Sequence, residues 1–286
     1  MAAMPSTPPT NPSESTDTTA APRTPGVLDY SIQPPSWGAP GAWLLSGWRD
    51  FCAAPAIGLF FGTCFCAMGW ALLGIYQFAP AYTLALSAGF LLTGPFLALG
   101  LYEVSRALER GETPTWWNAV TAWRSHRGQL ALFGGVLLIL EMLWGRASMV
   151  VFAVSFDGMP DFAGSLLKLL NPENLGFIAV YTCVGSVFAG LVFAVSVVSI
   201  PMMLDQEVDA ITAGLTSMRL VLTHTPVMVL WGAIITALVV LALLPGFVGL
   251  LVVGPVIGHA SWHAYRASVV YRPYTPPESP ATPPVA

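Results

Sequence analysis

The sequence predicts an all-α, polytopic transmembrane helical bundle of about six spans, and two observations predict it. Only 9% of the 286 residues are charged while 55% are hydrophobic, whereas a soluble domain carries roughly a quarter charged residues. Six stretches are apolar over about 20 residues each, long enough to cross a hydrocarbon core of about 30 Å. So few charges cannot clothe a water-facing surface, and lipid needs no such cover. The bilayer is therefore the partner the composition demands. A net charge of −4, with no basic stripe and no Gly-rich phosphate loop, excludes nucleic acid as a partner.

The spans are expected at 56–76, 83–102, 129–155, 175–200, 227–244 and 247–265. The last two are parted by Leu244-Pro245-Gly246, where proline removes a helix hydrogen bond and glycine allows a tight turn. Residues 1–40, rich in Pro, Ser, Thr and Ala with a single arginine, are expected to be a disordered tail without a cleavable signal peptide. The proline-rich 273–286 is expected to behave likewise, which leaves a membrane domain over 42–270. The loop at 157–174 is long enough for a short surface helix.

Orientation follows from basic residues. With six crossings, Arg23, Arg49, Arg106, Arg110, Arg124, Arg127, Arg219, Arg266 and Arg272 fall on the side where the chain starts, and only Lys168 on the other. Cytoplasmic loops carry the excess of Lys and Arg, so both termini are expected in the cytoplasm.

Three units of one hairpin plan are discernible. Each has an amphipathic entry segment, a helix-breaking Pro or Gly, a span out and a span back. The returning spans carry Pro95, Pro201 and Pro255. His126 to Gly134 aligns with His224 to Gly232, keeping His and Gly at one spacing. The entry segments 114–127 and 206–223 read as helices lying in the headgroup layer. In the second, Val208, Ile211, Leu215, Met218 and Leu222 form the apolar stripe, against Asp209, Thr212 and Arg219. Gly58-x-x-x-Gly62 and Gly254-x-x-x-Gly258 offer close helix approach.

Polar positions inside the apolar runs are the candidates for chemistry. Glu141 and Arg146 interrupt the third span, about 18 and 25 Å along the helix from Gln129. A central charge costs roughly 2.5–3.5 kcal/mol on insertion scales, so both should face the bundle interior. Five residues apart is about 140° around a helix, too far for direct pairing. They serve either a proton, ion or substrate pathway or an interhelical clamp. His259 and His263 stand four apart at the end of the sixth span, on one face, which is a metal-ligand spacing. Equally, Trp262, Tyr265 and Arg266 beside them make an ordinary interfacial belt. Glu103, Arg106, Glu109 and Arg110 read as a solvated charged face with mutual ion pairs, and Asp205, Glu207 and Asp209 as acids that favour a helix N-terminus. Cys64 and Cys66 point about 200° apart on a helix, so the four cysteines read as reduced packing residues.

Gly47-Trp-Arg-Asp50, Gly94-Pro95 leading to Tyr102-Glu103, Glu109-Arg-Gly111, Gln129 to Gly134, Ser199-Ile-Pro201 before Leu204-Asp205, and Gly258-His259 with His263-Ala-Tyr-Arg266 together carry a resemblance. Over 42–270 the chain resembles a bacterial family of predicted integral membrane proteins, domain of unknown function 2189. The resemblance implies a bacterial inner (cytoplasmic) membrane and brings no activity, cofactor or site residues with it.

No nucleophile–base pair or triad is legible, which points away from an enzyme, and no cofactor is specified. The leading expectation is a small-solute or ion pathway, or an envelope-homeostasis factor. A metal- or haem-binding redox module and a non-catalytic scaffold or assembly partner are the alternatives. Four histidines are too few for a haem–copper oxidase core.

Overall fold

A computed structural model describes residues 26–79, 82–155, 175–206 and 208–272. The chain folds into helices α1 (Ala39–Ala53), α2 (Pro55–Phe78), α3 (Thr83–Glu109), α4 (Trp116–Thr121), α5 (Arg127–Ser155), α6 (Leu175–Ser196), α7 (Ser199–Asp205), α8 (Ala210–Thr223), α9 (Thr225–Leu243) and α10 (Leu250–Ser268). Two short strands, β1 (Tyr30–Ile32) and β2 (Val269–Tyr271), pair antiparallel with Tyr30 opposite Tyr271. Among the described residues, α2, α5, the α6–α7 run Leu175–Asp205, and α9 are long and apolar enough to cross a membrane. Helices α3 and α10 occupy the other two expected spans. The expected surface helix at 157–174 and Glu207 lie outside the described residues.

A short helix followed by two long ones recurs three times along the chain: α1–α2–α3, α4–α5–α6 and α8–α9–α10. The joints of the first and third units share one backbone conformation. Ala54 (φ −133°, ψ 57°) and His224 (φ −126°, ψ 40°) break the helix, and Pro55 or Pro226 opens the next one. Proline fits there because the first helical N–H groups have no intrahelical acceptor to lose. The returning prolines behave differently. Pro255 sits inside an unbroken α10, whereas the run before Pro201 breaks at residues 197–198, between α6 and α7. Groups freed at that break are taken up by α8: Val198 N donates to Ser217 Oγ at 3.4 Å, and Ser199 Oγ to the Ala213 carbonyl at 3.1 Å.

Helix α10 lies against α1, α2, α3 and α9, and two glycines set how closely. A Cβ at Gly47 of α1 would stand 2.6 Å from the α10 backbone at Val256 and Ala260, and one at Gly62 of α2 would overlap the Leu251 carbonyl. At Gly58, Gly254 and Gly258 the neighbour is a side chain instead. Around this crossing the core is built of large side chains, Trp43, Tyr102, Met202, Met203, Trp231 and Trp262 among them, with Trp43 and Trp231 edge to face at 5.5 Å. Away from it, α5 is scarcely covered: Leu132, Ile139, Met142, Leu143, Met149 and Val150 are exposed, an apolar surface suited to lipid. The four cysteines are unpaired.

Two expectations change. Structure begins before residue 41: β1 and the start of α1 fall in the stretch read as tail, and Tyr30 is buried. Burial, ahead of the nearby Tyr271 and Asp29, pushes its phenol up to about 12. Composition averaged over forty residues hides the short alternation Leu28-Asp-Tyr-Ser-Ile32, whose partner strand is more than 230 residues away. In α8, the stripe residues Ile211 (64% exposed) and Leu222 (70%) face outward as expected for lipid. The opposite face, Thr212, Ala213, Thr216 and Ser217, is buried in the bundle rather than in water, because small side chains permit close packing against α6 and α7.

Candidate functional site

The polar side chains gather at the end of the bundle where α3, α7 and α10 terminate. Arg266 of α10 bridges two carboxylates: Nη2 is 2.9 Å from Glu109 Oε1 on α3, and Nη1 is 3.1 Å from Asp205 Oδ2 on α7. Trp262 Nε1 donates to Glu109 Oε2 at 2.9 Å, and the Tyr265 hydroxyl to Asp205 Oδ2 at 2.8 Å. Arg106 pairs with Glu103 at 2.5 Å and donates to the Leu204 carbonyl at 3.0 Å. Burial works against the charge of Arg266, but hydrogen bonding to Glu109 and the nearby Asp205 outweigh it and raise its pKa.

Of the four residues read as a solvated face, Glu109 and Arg110 are exposed as expected, and the reading is corrected for Glu103 and Arg106. Glu103 and Arg106 do pair, but their side chains are largely covered, and Glu109 turns to α10. Asp205 likewise ends α7 and accepts from α10 rather than starting a helix. Asp209 does serve a helix start: it caps α8 through Thr212 N at 2.9 Å. Those hydrogen bonds outweigh burial and hold its carboxyl below the usual value. Gln129 Oε1, at the start of α5, accepts from Ala210 N at 3.0 Å and joins the two helix starts.

His259 and His263 share a helix face but not a partner. His259 is fully buried, with Nδ1 2.8 Å from Ser105 Oγ on α3 and Nε2 without a hydrogen-bond partner among the described residues. His263 Nε2 lies 2.8 Å from Asp50 Oδ2 on α1. Among the described residues no group of three or more His, Cys, Asp or Glu is placed to hold a metal. Sequence reasoning missed Asp50 and Ser105. Neither carries a local signal, since their partners stand 213 and 154 residues away.

Glu141 is half-buried and lines a groove of about 500 Å³ between α5 and α6, with Trp144, Gly185, Phe188 and Ser196. Arg146 is exposed, away from that groove. Neither makes a hydrogen bond or ion pair among the described residues. Trp144 closes one side of the groove, edge to face with Tyr181 at 5.1 Å and tilted against Phe188 at 5.7 Å. What results is one carboxylate held in an apolar, aromatic cleft.

A helical bundle with several helices of membrane-crossing length and an apolar outer surface defines a polytopic integral membrane protein. Within it, residues 83–205 match the family model DUF2189, described as a predicted integral membrane protein. The matched stretch runs from the start of α3 to the end of α7. It contains Ser105, Glu109, Glu141, Arg146 and Asp205, while Asp50, His259 and His263 lie outside it. No curated protein and no solved structure matches the chain.

Proposed function

We propose that this protein is a non-enzymatic pathway for a small cation or proton across a bacterial inner membrane, with Glu141 as the exchanging carboxylate. The observation that carries the reading is the placement of Glu141: half-buried, lining an open groove between α5 and α6, with no partner among the described residues. A carboxylate in the membrane interior is expensive and is kept where it meets an ion or a proton. Among the described residues, Ser196 adds the only other side-chain oxygen in the groove lining. In this reading the chain crosses six times, α3 and α10 joining α2, α5, the α6–α7 run and α9. The arginine-rich ends and both termini then face the cytoplasm.

Reconstituted liposomes carrying an entrapped pH- or cation-sensitive dye provide the test. Wild-type protein is expected to dissipate an imposed gradient, and Glu141→Gln to lose at least about tenfold of the rate at unchanged thermal stability. Absence of flux for protons and a panel of monovalent cations and small solutes, in vesicles shown to contain folded protein, would remove the reading.

A further inference from the structure

A second, likewise open cavity of about 520 Å³ is lined by α2, α3, α9 and α10. Its walls are apolar along nearly their whole length, from Leu72, Leu243 and Phe247 at one end to Tyr102 and Ser261 at the other. The lining of α3 from Phe90 to Tyr102 spans about 18 Å of helix axis, so the cavity is long as well as apolar. Polarity is confined to one end. Ser261 Oγ already donates to the Ile257 carbonyl of its own helix at 2.8 Å. Tyr102 is 6% exposed, and its hydroxyl has no hydrogen-bond partner among the described residues, yet it is not one of the side-chain atoms sealed in protein. A phenol kept so deep without a partner forgoes a hydrogen bond unless a visitor supplies an acceptor. Glycine at position 94 keeps the wall open: a Cβ there would meet nothing within 4 Å.

We propose that this cavity binds one long acyl chain, its hydrocarbon laid between α2 and α10 toward Phe247 and its carbonyl oxygen accepting from Tyr102 Oη. The shape excludes a compact polar solute, and the single donor at one end matches an amphiphile with one oxygen-bearing head. An ester-linked chain of a phospholipid and a free fatty acid share this chemistry. The Tyr102 end adjoins the cluster of Glu103, Ser105 and Arg106, so the remainder of a head group would leave toward charged side chains.

The test uses the full-length protein purified in a mild, non-acyl detergent. Palmitic acid carrying a diazirine at its terminal carbon, and a phospholipid with the same labelled chain, are photolysed on wild-type protein and the adducts mapped. Labelling of Leu72, Leu243 or Phe247 is expected. If the free acid labels and the phospholipid does not, the ligand is a free acid; the reverse identifies a membrane lipid. Adducts confined to outward residues such as Val180 and Val187 would overturn the proposal. Gly94→Phe should fill the cavity and cut labelling at least about tenfold, while Gly89→Phe, exposed on the same helix with open space around it, should not. Tyr102→Phe should weaken palmitate binding about fivefold, the worth of one hydrogen bond, and leave binding of a hydrocarbon of equal length unchanged. Equal loss for acid and hydrocarbon, or none for either, would sink the assignment of Tyr102.

Discussion

Asp205 and Arg266 meet at 3.1 Å although 61 residues separate them, and the Tyr265 hydroxyl reaches the same carboxylate oxygen at 2.8 Å. The contact ties the end of α7 to the end of α10, two returning helices whose approach the local sequence does not announce. Removing the carboxylate leaves a largely buried phenol and one side of a guanidinium unpaired. Asp205→Ala is therefore expected to lose about 3 kcal/mol of stability. Asp205→Asn, which keeps an acceptor, should lose about half of that. Thermal unfolding in detergent micelles measures both, and an Ala variant that melts with wild type would refute the clamp.

The two ion pairs of Arg266 are unequal in cover. The Glu109 side chain is 38% exposed and that of Asp205 10%, and solvent screens the first more strongly. Double-mutant cycles are expected to give a coupling of about 0.5 kcal/mol for Arg266 with Glu109 and a clearly larger one with Asp205. Reversal of that order would contradict the arrangement.

Asp209 caps α8, and its carboxyl is held below the ordinary carboxylate value. A group with a lowered folded pKa adds stability that is present above the unfolded value, near 4, and is lost as pH falls through the folded one. Asp209→Ala should cost about 1 kcal/mol at pH 7, and the gap to wild type should narrow as melting is followed down to low pH. A gap that widens in acid would contradict the cap.

Gly62 of α2 faces the Leu251 carbonyl of α10, and Gly47 of α1 faces the backbone at Val256 and Ala260. Adding even one methyl forces the helices apart, so Gly62→Ala and Gly47→Ala are each expected to destabilise by about 1–3 kcal/mol. Gly74→Ala, in the same α2 with open space around it, should be neutral or slightly stabilising. Equal melting of all three variants would show that the crossing is looser than described.

The solvent of this chain and its helical class were legible residue by residue. Long runs such as Thr225–Leu243 carry no charge, and in oil a single apolar segment of about 20 residues satisfies its own N–H and C=O groups by forming a helix. Pro55 and Pro226 mark helix starts because a ring without an N–H costs no intrahelical hydrogen bond in the first turn. Asp209 was legible as an acid for a helix start. The direction in which Glu109 and Asp205 turn, the pairing of Asp50 with His263 and the burial of Tyr30 were not. These contacts depend on how helices far apart in the chain cross, and that is set by shape complementarity at positions such as Gly47 and Gly62.

Local sequence thus determined which long segments are helices, several of their starts, and that lipid surrounds them, since those follow from one residue's chemistry and its near neighbours. Tertiary structure alone decided which polar groups meet and which cavities stay open. A hydrogen bond across 150 or more residues, or an unfilled space beside Gly94, depends on the packing of several helices at once.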